Sequence, residues 1–398
     1  MSRRDDERGE QAMIQRILRS VQSRRQFLGR SAMAAGGLAL GGGLLAACGK
    51  KGAEAPAAAP AATAAAKRTL RISNWPLYID EKTVPDFTAA TGIPVEYSED
   101  INDNNEFFAK IEEPLKRGQS IDRDIVVLTD WMAGRMIERG YCAPLDPAKF
   151  PNLANLVDGL RDVTFDPGRK YSVPWMSGMA GVGYNPKKTG RELSSIEDIF
   201  DPKFKGQVTM LTEMRDTLGL IMLGMGIDPA KATLDDAKKA CARVTKARES
   251  GQVRAFTGND YAADLAAGNI AVAIAWSGDI QGLAADNPDL VWFAPKEGAM
   301  MYSDNMLIPK VSDRLDEAYA WLDWCYDPAH SAQIVVAAPY ISGVKGTGDV
   351  LAKIAPELAS SPLVNPPDEL RARLHVFRAL SEAEDQEFNR VFQDAIGA

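Results

Sequence analysis

The chain has 398 residues, enough for two domains and additional segments, and its 45% hydrophobic and 25% charged residues are ordinary for a soluble globular protein. Of its 46 basic and 54 acidic residues, residues 1–47 hold eight and four, so the remainder has a net charge of −12. Such an acidic body argues against nucleic acid as a partner and is compatible with a cationic ligand.

The first 47 residues predict an export signal rather than part of the folded body. A twin-arginine pair, Arg24 and Arg25, precedes an apolar stretch that is too short and too glycine-rich to be a stable membrane span. The stretch ends in "LLAAC", which is typical of a lipoprotein cleavage site with Cys48 as the lipidated N-terminus. The alternative is a basic N-terminus before an ordinary hydrophobic helix. The Ala/Pro-rich residues 48–67 then predict a flexible tether.

Three cysteines remain for the folded body, Cys142, Cys241 and Cys325. An odd number permits at most one disulfide, and the sequence has neither a CxxC pair nor a spacing typical of a metal site. Cys241 and Cys325 lie in helical patterns and are expected in the core. We therefore expect neither a metal ion nor a cofactor.

From residue 68 onward strand and helix patterns alternate, which is typical of an α/β fold. Strands are predicted at "RTLRIS", "IPVEYS" and "DIVVLT", and helices at "EKTVPDFTAATG", "NNEFFAKIEEPLKRG" and "MAGRMIERG". The third strand, residues 124–129, is a continuous apolar run, as expected of a buried parallel strand. The Gly-rich residues 170–186 then predict an extended crossover into a second lobe.

A second α/β unit follows the crossover. Its strand patterns are "GQVTML", "NIAVAIAW", "LVWFAP" and "NMLIP", and a last amphipathic helix is predicted at "DQEFNRVFQDAIGA". We predict an α/β fold of two lobes with a cleft between them. Residues 68–176 and 304–345 form lobe 1 in this prediction, and residues 177–303 and 346–398 form lobe 2.

Acidic and aromatic residues occur at one predicted strand end after another. Open α/β sheets bind ligands beyond the carboxyl ends of their strands, so these residues are candidates for a site. They are Asn74, Trp75 and Tyr78; Thr129, Asp130 and Trp131; Thr212, Glu213 and Asp216; Trp276, Ser277 and Asp279; and Tyr302 and Asp304. Aromatic faces attract ammonium groups by roughly 0.5–2 kcal/mol each, and carboxylates accept charge-assisted hydrogen bonds from them. The pattern therefore favours recognition of an organic cation.

Each of these residues also has a simpler interpretation. Glu213 and Asp216 are three apart and could serve only to complement a helix N-terminus. A tryptophan after a strand, such as Trp75, is more often core than ligand contact. The combination of both kinds of residue is what favours a binding cleft.

Six stretches, taken together in this order, are far more specific than any one of them. They are "SNWPLYI", "DIVVLTDWMAGRM", "YSVPWMSGMAGVGYN", "FDPKFKGQVTMLTEMRDTLGL", "LAAGNIAVAIAWSGD" and "WFAPKEGAMMYSDNMLIP". With them the chain resembles the substrate-binding lipoproteins of ABC importers for polyamines, the spermidine/putrescine class. The resemblance covers most of residues 68–345 and is looser towards the C-terminus.

The resemblance implies a ligand shell, in which three acids hold amines and aromatic rings flank the methylene chain. The implied residues are Trp75, Tyr78, Thr129, Trp131, Glu213, Asp216, Trp276, Tyr302, Asp304 and Tyr340. Pro76 stands where many members have a small polar residue, and Tyr302 stands where a Trp is common. These departures bear on the identity of the amine more than on its class. Arg378, near a late polar position that aligns poorly, would oppose a cation and is excluded from the shell.

The resemblance also implies a mechanism and partners. Such proteins have the periplasmic-binding-protein-like (type II) fold, whose two lobes close like a hinged clamp on the solute. The expected protein is an exported monomer that is lipid-anchored through Cys48, in the periplasm or at the outer face of the cytoplasmic membrane. It would deliver a polyamine to an ABC permease whose ATPase is a separate subunit, since this chain has no G-x-x-x-x-G-K-[ST] loop.

Two other classes of function are alternatives to this one. A surface-anchored hydrolase would need a catalytic motif, but there is no G-x-S-x-G or H-E-x-x-H, and His330 and His375, both in helical patterns, have no evident partners. The segment "GVKGTG" is interpreted as a turn rather than a nucleotide loop. A binding protein of the same fold for an amino acid, thiamine or iron is the closer alternative, although three acids beside aromatic rings favour a cation.

Overall fold

The computed structural model describes residues 68–398. The predicted signal peptide (residues 1–47), the lipidated Cys48 and the predicted tether (residues 48–67) lie outside the described residues. Within residues 68–398, no helix combines the length and the apolar character that crossing a membrane requires.

Strands and helices alternate through most of this part of the chain, as the hydrophobic pattern predicts. The strands are β1 (Leu70–Asn74), β2 (Val95–Glu99), β3 (Ile125–Thr129), β4 (Ser172–Tyr184), β5 (Val208–Leu211), β6 (Val253–Thr257), β7 (Val272–Trp276), β8 (Val291–Phe293), β9 (Ala299–Leu307), β10 (Ile341–Ser342) and β11 (Leu374–His375). The α-helices are α1 (Thr83–Thr91), α2 (Asn104–Lys116), α3 (Asp130–Glu138), α4 (Pro186–Thr189), α5 (Met214–Gly224), α6 (Leu234–Glu249), α7 (Tyr261–Ala266), α8 (Ser277–Ala284), α9 (Leu315–Cys325), α10 (Pro328–Ala337), α11 (Thr347–Ile354), α12 (Pro356–Ala359), α13 (Asp368–Arg371) and α14 (Glu382–Ile396). Short 3-10 helices lie at Pro147–Lys149, Pro151–Asn155, Asp158–Leu160, Ile196–Phe200, Pro202–Phe204 and Pro229–Lys231.

Local signals explain where several elements begin and end. Helix α1 ends at Gly92, whose φ of 70° lies in the left-handed region that glycine adopts without strain. Asp103 caps α2 by accepting from two backbone N–H groups of its first turn. Helix α14 begins at a capping box in which Ser381 and Glu384 each accept from the other's backbone N–H. Every residue of β3 is buried, which confirms the prediction from its continuous apolar run.

The strands form one mixed sheet in the order β2-β1-β3-β9-β4-β7-β5-β6, with β8 and β10 paired to β4 and β11 paired to β9. Strands β1, β2 and β3 are parallel to one another and are called the first half here; β5, β6 and β7 are parallel to one another and are called the second half. Strands β9 and β4 lie between the halves, and each of the pairs β3–β9, β9–β4 and β4–β7 is antiparallel. The strands of the second half therefore run opposite to those of the first.

The register of β4 and β9 places the carboxyl ends of the two halves opposite each other. Thr129, which ends β3, pairs with Asp304 of β9, and Asp304 pairs with Met176 of β4. Trp276, which ends β7, pairs with Ala180 of β4. Since Met176 and Ala180 are four residues apart on one strand, the two ends face each other across about 13 Å.

The structure corrects three details of the sequence prediction. Tyr302 and Asp304 lie inside β9 rather than before a strand, because the predicted strand "NMLIP" covers only the end of β9. The segment "GVKGTG" does turn at Lys345 and Gly346, as predicted, but a helix that the prediction lacks, α11, begins at its Thr347. His375 lies in β11 and not in a helix. Strand β6 and helices α7 and α8 have no counterpart in the sequence prediction.

The boundaries of the two lobes stay a prediction. Residues 346–398, which the prediction assigns to lobe 2, contact elements beside both halves of the sheet. Helix α11 contacts α10, which itself contacts α1, whereas α14 contacts α6 and α5.

Candidate functional site

A cavity of about 190 Å³ lies where the carboxyl ends of the two sheet halves face each other. All ten residues of the predicted ligand shell line it. They are Trp75, Tyr78, Thr129, Trp131, Glu213, Asp216, Trp276, Tyr302, Asp304 and Tyr340. A shared cavity does not by itself measure ligand binding, so their role in binding stays a prediction.

Aromatic rings form much of the cavity wall. Trp75 and Tyr78 follow β1 and are buried, with 7% and 3% of their surfaces exposed. Trp75 lies edge-on to Trp276, with ring centroids 6.0 Å apart, and Tyr78 lies edge-on to Tyr340 at 4.7 Å. Trp276 in turn lies edge-on to Tyr302 at 6.4 Å. Core and cavity interpretations therefore both apply to these rings, which are packed against one another and also line the cavity.

The carboxylate of Asp304 lies on β9, beside the first half. Its two oxygens accept hydrogen bonds from the hydroxyl of Thr129 and the hydroxyl of Tyr78, each at 2.8 Å. Burial raises the pKa of Asp304 to about 7, and the two hydroxyl donors oppose that rise. The carboxylate is thus held in a fixed orientation without a basic side chain to neutralise it.

Two further carboxylates belong to the start of α5, in the second half. Glu213 is the N-cap residue, and its side chain accepts from the backbone N–H of Arg215, so the helix-capping interpretation also holds. The second carboxylate, Asp216, accepts from the indole N–H of Trp276 at 2.8 Å. Burial and the neighbouring Asp216 raise the pKa of Glu213 to about 8, and burial raises the pKa of Asp216 to about 6. Burying two adjacent acids is unfavourable unless something positive accompanies them.

Asn104 connects the carboxylates of the two halves through hydrogen bonds. Its side-chain amide donates to the hydroxyl of Thr129 at 2.9 Å and to the carboxylate of Glu213 at 3.2 Å. Thr129 donates onward to Asp304, so a continuous chain of hydrogen bonds crosses the cavity wall. The neighbouring Asp103 accepts from the hydroxyl of Thr212 at 2.8 Å. The start of α2 therefore brings the first half into direct contact with the second.

Asp279, in α8, supports the wall from behind the lining residues. Its carboxylate accepts from Tyr340 at 2.6 Å, from Tyr261 at 2.7 Å and from the amide of Asn259 at 3.1 Å. Burial raises the pKa of Asp279, and its three donors oppose the rise. The adjacent Gly278 leaves room for the Tyr340 ring, which a Cβ at this position would overlap. Asp279 thereby holds Tyr340 against the cavity.

Other residues of the wall lie outside the predicted ligand shell, although the strand-end pattern includes one of them, Asp130. They are Pro76, Asn104, Asp130, Thr164, Phe165, Arg215, Asn259, Met300, Met301, Val376, Phe377, Arg378 and Ala379. Most have no sequence signal, because they come from loops and from the C-terminal segment, whose position depends on tertiary packing. Arg215 and Asn104 carried the clearest available signals, since one stands between two predicted ligand acids and the other begins a helix.

Arg378, which the sequence analysis excludes from the ligand shell, lines the cavity. Its guanidinium donates to the carboxylate of Glu384 at 2.7 Å and to the carbonyl of Ala232 at 2.6 Å. The hydrogen bond from Arg378 contributes most to lowering the pKa of Glu384, to about 2. The positive charge of Arg378 is therefore paired outside the group of cavity acids, which removes the objection that it would oppose a cation.

Neither histidine lines the cavity. His330 stacks on Trp324 with ring centroids 3.4 Å apart. Cys142, Cys241 and Cys325 are buried and unpaired. Among residues 68–398, no group of three His, Cys, Asp or Glu side chains has an arrangement that could hold a metal ion.

Comparison with known sequences places the chain among solute-binding proteins. The family described as "Bacterial extracellular solute-binding protein" matches residues 82–364. The putrescine-binding periplasmic protein PotF of Escherichia coli is 31% identical over 348 residues, which cover 82% of this chain and 90% of that protein. The putrescine-binding periplasmic protein SpuD of Pseudomonas aeruginosa is 30% identical over 335 residues, which cover 79% and 88%.

Solved structures agree with the fold. A putative spermidine/putrescine ABC transporter protein of Listeria monocytogenes superposes with a TM-score of 0.74 at 26% identity, covering 82% of this chain and 98% of that chain. The spermidine/putrescine substrate-binding protein PotD of Streptococcus pneumoniae superposes with a TM-score of 0.68 at 23% identity, covering 83% and 98%. The predicted periplasmic-binding-protein-like α/β fold is thereby confirmed.

Proposed function

Because the chain belongs to the bacterial extracellular solute-binding protein family, we propose that the solute it captures is a polyamine. The proposed ligand carries ammonium groups separated by a slender methylene chain, as putrescine and spermidine do. The relatives named above are putrescine-binding proteins, and the same chemistry follows independently from the cavity.

The observation that carries the proposal is the placement of carboxylates on two sides of one aromatic cavity. Asp304 lies beside the first half, and Glu213 and Asp216 lie at the start of α5 in the second half. An ammonium group at each side would receive charge-assisted hydrogen bonds. The rings of Trp75 and Trp276, which both line the cavity, would pack against the methylenes between them. A cationic guest would also favour the ionised acids and so reverse the rise in their pKa values.

The proposal extends to how the protein is used. We propose that Arg24 and Arg25 direct export, that Cys48 carries a lipid anchor, and that the monomeric protein delivers its solute to an ABC permease with a separate ATPase. In this proposal the protein binds its solute without converting it. Membrane fractionation tests the anchor: Cys48→Ser should move the protein from the membrane fraction to the soluble fraction. An unchanged distribution would leave the anchor without support.

Isothermal titration calorimetry on the purified protein tests the ligand class. We expect saturable heat with putrescine or spermidine and none with glutamate, thiamine or ferric citrate. The three controls differ from a polyamine in distinct ways. Glutamate needs a partner for its carboxylates and ferric citrate carries anionic groups, whereas thiamine is a cation whose charge lies on an aromatic ring instead of at the ends of a slender methylene chain. Binding of glutamate with no response to either amine would refute the proposed function.

A further inference from the structure

Asp385, in the first turn of α14, contacts side chains from both sides of the cavity. One carboxylate oxygen accepts from Arg215 at 2.6 Å, and the other accepts from Arg135. Arg215 lies in α5 of the second half, and Arg135 lies in α3, which follows β3 of the first half. The Asp385 side chain is 9% exposed, so this shared ion pair is largely shielded from water.

Arg215 is an unexpected residue for a cation site. It stands between Glu213 and Asp216 in the sequence and lines the same cavity. Its charge acts to lower the pKa of both acids, against the effect of burial, which shows that its field reaches them. A guanidinium stays charged at any physiological pH and matches a carboxylate with two hydrogen bonds. Left without another partner, Arg215 would compete with an ammonium group for these acids.

In the structure the Arg215 guanidinium is directed away from Glu213 and Asp216. It lies over the ring of Trp131, 4.1 Å from the centroid, and donates to Asp385. The same Trp131 ring has the guanidinium of Arg135 at 5.0 Å. Of the Arg215 side-chain donors, none makes a hydrogen bond to Glu213 or Asp216 in the described residues. The positive charge is thus drawn towards α14 and away from the start of α5.

We propose that Asp385 is a positioning residue that keeps the Arg215 guanidinium from pairing with Glu213 and Asp216, and so leaves both acids available to the amine. This inference rests on the proposed function. Asp385 itself does not line the cavity. It acts through Arg215. A residue of the C-terminal helix thereby keeps the negative charges of Glu213 and Asp216 available, although both acids lie far earlier in the chain.

Calorimetry with putrescine on four variants tests the proposal. Asp385→Asn should weaken binding at least tenfold, because Arg215 then turns to the two acids. Adding Arg215→Gln to it should restore the affinity to within about threefold of the wild type. Adding Arg135→Gln instead should not restore it. The matched control is Glu382→Gln, on the same helix turn, which breaks an exposed pair with Arg139 (2.7 Å) and should leave the affinity unchanged.

If Asp385 served only to hold α14 in place, the putrescine affinities would follow a different pattern. Removing Arg215 as well would not restore the position of α14, so the double variant would bind as weakly as Asp385→Asn. Equal weakness of Asp385→Asn and of the double variant with Arg215→Gln would overturn the proposal. Wild-type affinity in Asp385→Asn would overturn it as well.

A measurement without ligand separates this inference from the proposed function. Carboxyl NMR titration of the ligand-free protein should show a lower pKa for Glu213 in Asp385→Asn than in the wild type, and Arg215→Gln should abolish the difference. An unchanged Glu213 pKa in Asp385→Asn would overturn the inference. If the wild type binds no amine, the proposed function fails while this titration still decides the role of Asp385.

Discussion

Replacing Asp304 by asparagine removes one negative charge from the cavity while keeping the shape of the side chain. The Asp304 residue is 4% exposed, and its carboxylate accepts from Thr129 and Tyr78 at 2.8 Å each. An asparagine oxygen can still accept one of these hydrogen bonds. The change therefore tests the charge more than the packing.

The magnitude follows from two opposing contributions. Leaving a buried charge without its partner costs about 2–5 kcal/mol. The cost of ionising Asp304 on binding reduces this loss. With a pKa of about 7, complete ionisation of Asp304 costs roughly 0.4 kcal/mol at pH 7 and less than about 0.1 kcal/mol at pH 8. We expect Asp304→Asn to lose about 2–4 kcal/mol of putrescine affinity at pH 8, roughly a 30- to 1000-fold increase in Kd.

The stability of the ligand-free protein should change in the other direction. Because the folded pKa of Asp304 is raised, its stabilising contribution is present at low pH and is lost as the pH rises through about 7. At pH 8 the buried carboxylate is ionised and destabilising, so the asparagine variant should unfold at a Tm no lower than that of the wild type. Calorimetry and thermal unfolding at pH 8 measure the two effects separately.

A matched control is Asp124→Asn, since Asp124 is fully buried but lies outside the cavity and pairs with Arg71. It should lower the Tm and leave putrescine affinity unchanged. If Asp304→Asn binds putrescine within threefold of the wild type, Asp304 does not hold an ammonium group and the reasoning about the cavity acids fails.

The three cavity carboxylates, with pKa values raised to about 6, 7 and 8, should release about 1.5 protons per putrescine bound at pH 7 if all three become ionised. Calorimetry in buffers of different ionisation enthalpy detects this release, and its absence would contradict their ionisation on binding. The same shifts predict that ligand-free stability declines as the pH rises from 5 to 8, and a flat Tm would count against them. Gly278→Ala should displace the Tyr340 ring and weaken putrescine binding at least tenfold, whereas Gly348→Ala, where a Cβ meets nothing within 4 Å, should not. Asn104→Ala removes the hydrogen bonds to Thr129 and Glu213 and should cost about 1–3 kcal/mol of affinity, and an unchanged Kd would show that this connection is dispensable.

The parts of the fold with strong local signals could be predicted from the sequence. The continuous apolar run of β3 and the glycine that ends α1 determine their elements without tertiary information. Strand β9 is harder, because its sequence mixes apolar and polar residues that are nearly all buried and shows no alternation. The glycines around Gly346 indicate a turn by composition, and the structure has that turn at Lys345 and Gly346, but they give no signal for the helix that begins at Thr347.

The residues of the candidate site also fall into two groups, those that the sequence predicts and those that it does not. Acids and rings at strand ends could be found because the carboxyl ends of parallel strands collect at one edge of a sheet. The contributions of Arg378 and Asp385 could not, since they depend on how the C-terminal segment packs against the rest. Periodicity predicts which face of an element is apolar and carries no information about which distant element covers it.

Strands β4 and β9 lie between the two halves of the sheet and connect them through their mutual pairing, so any separation of the halves would have to deform this pair. The pairing of the two strands is already interrupted by a register shift between Pro174 and Met176, and Met176 is the partner of Asp304. A proline lacks the N–H that regular pairing needs, so the hydrogen-bonded ladder between the two strands is weaker at this level. Asp304 lies directly beside the interruption. We therefore expect an ammonium group bound to Asp304 to make this stretch of the two strands more rigid.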